Sequence, residues 1–247
     1  MPPSRDAPPP TQTTPPQDSQ EGYEMFDSQE LDGVRIAVLA ADGVEQVEVT
    51  RPVRALERHG AEIEIVSLRP GSIRAMNLLY PGKKLRVDRT VVTADPERYD
   101  GLHIPGGFIN PDFVRQSEHA LEFVQALEAD GKPISTICHG PWVLVSAGLV
   151  RGRRLTSWPG IKDDVRNAGG VWVDSEVVRD GNWVSSRGPQ DLHAFDKAIV
   201  EHFARRAGRS GHATRAVSGD GSWQRFLAGG VAAATVGYVA RQAWRGR

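Results

Sequence analysis

The chain has 247 residues, of which 39% are hydrophobic and 25% charged, and a formal net charge of -1. That composition suits one sizeable globular core and gives no electrostatic reason to expect a nucleic-acid partner. A single cysteine, Cys138, rules out an internal disulfide and makes the cytosol the expected compartment.

Residues 1–30, rich in Pro, Gln, Ser and acids, contain no apolar run of the kind a secretory signal needs. They bury too little surface to offset chain entropy, so a disordered leader is expected. From residue 33 to 207 apolar strand-like runs alternate with amphipathic stretches. "VRIAVLA" (34–40) reads as a buried strand, the next stretch as a helix closed by Gly60, and "EIEIVSL" (62–68) as a second strand. "KKLRVDRTVVT" (83–93) reads as a hairpin or excursion, "GLHIPGG" (101–107) as a strand ending in a diglycine turn, and residues 117–133 as a helix stopped by Gly131 and Pro133. "ISTIC" and "HGPWVLVSAGL" form a strand and a helix that meet at Cys138. Beyond them come a short helix (161–170), strands at 171–173 and 176–187, and a closing helix (191–206). Arg153 and Arg154 are expected to face solvent, as charge runs usually do. This βα alternation predicts an α/β fold with a mainly parallel sheet covered by helices on both faces.

After the domain, residues 208–222 read as a flexible Gly/Ser-rich linker, followed by an Arg-flanked, Gly/Ala-rich helix at 223–247. Its uncharged run, 226–240, lies between Arg225 and Arg241, with Trp223 and Trp244 outside them. Those flanks suit a helix at a membrane interface or one that self-associates, against the plainer reading of an exposed helix. The run is shorter than the roughly 20 residues needed to cross a bilayer.

Ligands of such sheets bind beyond the carboxyl ends of the strands, and three segments fall there: Asp42 to Glu45, Gly106 to Asp112, and Cys138 to Pro141. They are expected to converge. At a strand-to-helix turn, helix N–H groups and the helix dipole favour a thiolate, so Cys138 is a candidate nucleophile. A small buried hydrophobe is the competing reading. His139 is a candidate general base, although neighbouring side chains normally diverge and it needs a sharp turn and an orienting carboxylate. Glu45 reads either as a helix-start acid or, protonated against Cys138, as a donor to the thiolate. Gly106 and Gly107, with Gly140 at the elbow, are candidates for backbone N–H groups that approach a substrate oxygen. No metal or cofactor is expected.

At these residues the sequence resembles the PfpI family of the class I glutamine amidotransferase-like superfamily. The resemblance is carried by "VEQVEV", "LHIPGGFINPDFVR" and the run from Gly131 to Ala194, and covers about residues 34 to 206. It implies a flavodoxin-like three-layer sandwich with a nucleophile elbow, working as a homodimer or hexamer. Within it Cys138 is the nucleophile, Glu45 its acid partner and His139 the catalytic histidine. The orienting acid, contributed in some members by the neighbouring subunit, falls on Asp112. Activities implied are an intracellular cysteine peptidase, a glutathione-independent glyoxalase and a protein deglycase, all reached by thiolate attack on a carbonyl. The expectation is a stress-protection enzyme acting on a small reactive carbonyl or a glycated protein. The alternatives are the peptidase and a redox-sensing chaperone without turnover. A glutamine amidotransferase would need a late His-x-Glu, and no such tripeptide occurs. Two positions depart from the family pattern: Gln46, where many relatives carry an acid, and Trp142, where they often carry Gln.

Overall fold

The computed structural model describes residues 30–217, with side chains to residue 205. The expected leader (but for Glu30), the C-terminal helix at 223–247 and the end of the linker lie outside the described residues. By its contacts the chain divides into two units, Met1–Ala207 and Gly208–Arg247, and the first holds the sheet.

Strand β1 (Arg35–Leu39) leads into α1 (Gln46–Arg58), which returns to β2 (Glu62–Ser67). A hairpin of β3 (Ser72–Asn77) and β4 (Tyr80–Arg86) follows, then the short β5 (Arg89–Thr90) and β6 (Gly101–Ile104). Helices α2 (Asn110–Val114) and α3 (Glu118–Ala129) precede β7 (Ile134–Ile137) and α4 (Pro141–Ser146). The chain continues through β8 (Arg154–Leu155), α5 (Lys162–Asn167), β9 (Val171–Trp172), β10 (Val177–Asp180) and β11 (Trp183–Ser186) to α6 (Leu192–Val217). The main sheet has seven strands in the order β10-β11-β7-β6-β1-β2-β5. Every neighbouring pair is parallel except β10 with β11.

The period of two along β1 shows why both faces are covered. Ala37 and Leu39 pack into one core with Phe123 of α3 and Leu144 of α4, whereas Ile36 points into another with Leu56 of α1 and Phe195 of α6. This is the expected three-layer, flavodoxin-like α/β sandwich. Strand order reverses about β1, which opens a crevice at the carboxyl ends of β1 and β6.

Three local expectations need correction. The hairpin begins at Ser72, not at Lys83, and its tight turn uses Leu78 at φ +58°, a conformation that glycine usually supplies. The turn therefore carries none of the usual sequence marks. Arg153 is not solvated: it bonds Glu128 at 2.8 Å and Asp180 at 3.0 Å, and its guanidinium lies 4.0 Å from the centre of the Trp183 ring. Stacking on a buried indole lets a guanidinium leave water with its donors satisfied. Finally, α6 runs on through 208–217, where a linker was expected, because extending an existing helix costs far less than nucleating one. Among the described residues no helix is long and apolar enough to cross a membrane.

Candidate active site

The turn from β7 into α4 sets the geometry. Cys138 sits between them at φ +60°, a left-handed conformation that costs an L-residue about 1–2 kcal/mol. The turn is held by three backbone bonds: Cys138 N–H to Ser186 O at 3.1 Å, Gly140 N–H to Ile137 O at 2.9 Å and Trp158 N–H to Cys138 O at 2.8 Å. Gly140 is required sterically, since a Cβ there would stand 2.5 Å from both Ile104 O and Thr136 Oγ1. The bend is sharp enough to overcome the usual divergence of neighbouring side chains. Cys138 Sγ and His139 Nδ1 are 3.2 Å apart.

The carboxyl group beside this sulfur belongs to Glu48, not Glu45. Glu45 stands just before α1 with its Oε2 accepting the Leu78 N–H at 2.8 Å, so it pins the strained hairpin turn. Glu48, one turn further, is fully buried with Val49, Pro52 and Leu56 on the inner stripe of α1. Its Oε2 accepts the Gly106 N–H at 2.8 Å. Its Oε1 is buried with no partner in hydrogen-bond geometry among the described residues, and the carboxyl as a whole interacts with the Cys138 thiol. The spacing 48, 52, 56 follows the helical period of four, so a carboxyl on the apolar stripe was a legible signal.

Burial raises the Glu48 pKa to about 8, against opposing pulls from Cys138 and the Gly106 N–H. The carboxyl therefore keeps its proton at neutral pH. Burial also pushes the Cys138 thiol up, and an ionised Glu48 adds to the rise, while the N–H groups of Gly107 and His139 pull it down. Below about pH 8 the like charge is absent and Glu48 becomes a hydrogen-bond donor to sulfur. Burial lowers the His139 pKa, which leaves a neutral imidazole able to accept the thiol proton.

The backbone donors sort differently from the sequence expectation. The Gly106 N–H is taken by Glu48 and the Gly140 N–H by Ile137, so neither is open to a substrate oxygen. The Gly107 N–H acts on both the sulfur and the Glu48 carboxyl, and the N–H of His139 itself acts on the sulfur. Gly106 serves a steric need instead: a Cβ would lie 2.7 Å from both Cys138 Cβ and Glu48 Oε2. Gly107 needs its freedom too, at φ +76° with Gly43 O 2.5 Å from where a Cβ would stand.

Asp112 does not reach His139 within the protomer; it is exposed on α2 and bonded to Gln116. His139 instead lies between two indoles, edge-on to Trp142 at 5.2 Å and stacked with Trp158 at 6.0 Å. Gln46 accepts the Lys83 N–H at 2.7 Å, which ties α1 to β4.

One residue behind the site escaped the sequence reading. His103 of β6 is fully buried, with Nε2 2.9 Å from Glu48 O and Nδ1 2.9 Å from Ser135 Oγ. A carbonyl partner requires the proton on Nε2, so Nδ1 accepts the serine hydroxyl. Burial lowers its pKa to about 4, and the neutral ring fastens the Glu48 backbone to β6 and β7.

These buried groups make opposite contributions to stability with pH. Glu48 is raised in the fold, so between its ordinary 4.5 and about 8 the unfolded chain releases the proton first and stability falls as pH rises. His103 is depressed, so stability falls as pH drops from its ordinary 6.5 towards 4. Urea denaturation should show Glu48→Gln gaining on the order of 4 kcal/mol on the natural protein between pH 5 and pH 8.5, while the acid-side loss remains in both. A constant difference across that range would contradict a protonated Glu48.

A cysteine stands on a strained strand-to-helix elbow at the carboxyl edge of a parallel sheet, with an imidazole 3.2 Å from its sulfur and a buried carboxyl close by, in an α/β sandwich. The DJ-1/PfpI family model matches residues 34–202, and the chain belongs to that family. It is 45% identical over 168 residues to a deglycase of Pyrococcus abyssi, covering 68% of this chain and 98% of that one. It is 38% identical over 164 residues to a Bacillus subtilis protein provisionally named a cysteine protease, covering 66% of this chain and 94% of that one. The fold matches Drosophila melanogaster DJ-1beta with a TM-score of 0.64 at 25% identity, over 74% of this chain and 97% of that one. The chain is thus a PfpI-type enzyme.

Proposed function

We propose that this enzyme acts on reactive carbonyls, as a glyoxalase or a protein deglycase, through a covalent Cys138 adduct. The observation that carries the reading is the sulfur held 3.2 Å from the imidazole of His139 and beside the buried carboxyl of Glu48. The deglycase name of the Pyrococcus abyssi relative supports the choice of substrate.

The thiol proton passes to His139 Nδ1 as sulfur attacks the carbonyl carbon. A C–S bond forms, and the π electrons of C=O move to oxygen, where the Gly107 and His139 N–H groups receive the charge. Protonated Glu48 donates to sulfur, so the anionic stages develop opposite a neutral acid. His139 returns the thiol proton to the oxygen, giving a hemithioacetal. For an α-ketoaldehyde the now neutral imidazole moves the C–H proton to the neighbouring carbon, giving an α-hydroxy thioester that water hydrolyses to the hydroxy acid and the thiol. For a protein adduct, the carbinol C–N or C–S bond breaks as its oxygen re-forms C=O, His139 protonates the departing amine or thiol, and the aldehyde set free is taken by Cys138 in the same way. The enzyme works in the cytosol, where Cys138 stays reduced, and as a homodimer or hexamer in which Asp112 of a neighbouring copy serves as the orienting acid.

A parallel assay of methylglyoxal and a peptide substrate tests the reading. Lactate should form without glutathione, with no peptide cleaved. Peptide cleavage with methylglyoxal untouched would replace it with the peptidase.

A further inference from the structure

Four tryptophans lie among the described residues, and three are tied down through their indole N–H. Trp142 donates to Asp164 at 2.9 Å, Trp172 to Ser157 Oγ at 2.9 Å and Trp183 to Glu128 at 2.6 Å. Trp158 differs. The residue is 40% exposed, its indole N–H has no partner among the described residues, and its ring stacks on His139 at an interplanar angle of 22°. It is nevertheless held in place, by its backbone bond to Cys138 O and by contact with Gly188, where a Cβ would meet the ring at 3.3 Å.

A second indole stands at the same site, and a third aromatic residue follows one of its glycines in the chain. Trp142 meets the His139 ring edge-on, and its own ring is fixed by Asp164 and by the Arg115 guanidinium 5.3 Å from its centre. Phe108 follows Gly107, whose N–H acts on the sulfur, and is 46% exposed. A flat, wet aromatic surface with an open donor, rigidly placed beside a nucleophile, is what a planar ligand carrying an acceptor would cover. A methyl group would leave most of it in water.

We infer that the carbonyl taken by this site bears a planar aromatic substituent, seated on the Trp158 ring with Trp142 and Phe108 as its bounds. This rests on the carbonyl reading above and narrows it to arylglyoxal-type α-ketoaldehydes. The seat binds a part of the substrate that does not react, so it acts on KM more than on kcat.

The test compares phenylglyoxal with methylglyoxal, each rate corrected for its reaction with a free thiol, in the natural enzyme and in Trp158→Ala and Trp158→Phe. Alkylation of Cys138 by iodoacetamide in each variant reports that the elbow is intact. The natural enzyme should favour phenylglyoxal in kcat/KM by about tenfold or more. Trp158→Ala should lose that preference, its KM rising several-fold more for phenylglyoxal than for methylglyoxal whatever the change common to both, with Trp158→Phe keeping most of the preference. Equal use of the two ketoaldehydes, or a preference that survives Trp158→Ala, would overturn the aromatic seat and leave the carbonyl reading standing. Consumption of neither by an enzyme whose Cys138 alkylates would overturn both.

Discussion

Cys138→Ala is expected to abolish carbonyl turnover, by on the order of 10⁴-fold or more, because no other nucleophile stands at the elbow. A second variant, Cys138→Gly, should be equally inactive yet more stable than Cys138→Ala by about 1 kcal/mol. Position 138 is held at φ +60°, which a Cβ opposes and glycine accepts freely. The fold therefore stores strain at the one residue that must be presented to a substrate. Chemical denaturation of the two inactive variants measures that strain without interference from catalysis. Equal stability of the two would mean that the elbow is relaxed, and residual turnover in either would remove Cys138 from the reaction.

Glu48→Leu is expected to lower turnover by on the order of 10²-fold, while Glu45→Leu stays close to the natural enzyme in rate. The two carboxyls are three residues apart and have opposite surroundings. Glu48 is fully buried against the sulfur and the Gly106 N–H, and leucine there fills the space but can neither donate nor carry a proton. Glu45 accepts the Leu78 N–H of the hairpin turn, so its loss should loosen the hairpin and lower stability. Glu48→Gln separates two parts of the Glu48 contribution. It keeps a neutral donor to sulfur but cannot ionise, so any fall in rate near the pair's titration at about pH 8 should vanish in this variant. A large loss in Glu45→Leu with little in Glu48→Leu would reverse the assignment.

The reasons the sequence pointed to the right elements, and to one wrong carboxyl, are physical. Strands β1, β6 and β7 are short, almost wholly buried runs that end in turn residues, and their convergence follows from the topology of such sheets. Glu45 lies just beyond the end of β1, where ligands of such sheets bind. The side chain that turns inward, however, is chosen by the helical period of α1, which places Glu48 with Pro52 and Leu56. Gly106 was read as a donor to a substrate oxygen, but its N–H is spent on Glu48 and its missing Cβ makes room for Cys138 and Glu48, a pairing that only three-dimensional packing reveals. His103 left a faint sign, a lone imidazole in a buried strand, and its partners, Ser135 and the Glu48 carbonyl, are distant in sequence. Arg153 looked like an ordinary solvated charge because the indole and carboxylates that receive it come from three other elements.

In the proposed reaction the Cys138 sulfur ionises opposite a protonated Glu48, and the single cysteine makes this directly measurable. The measurement is the rate of alkylation by iodoacetamide across pH in the natural enzyme, Glu48→Leu and Glu45→Leu. At pH 7 the natural enzyme and Glu45→Leu should react alike, and Glu48→Leu more slowly by about tenfold or more, since a lost hydrogen bond to a charged group is worth ~1.5–3 kcal/mol. Equal rates in all three proteins would contradict the proposed pairing of thiolate and acid.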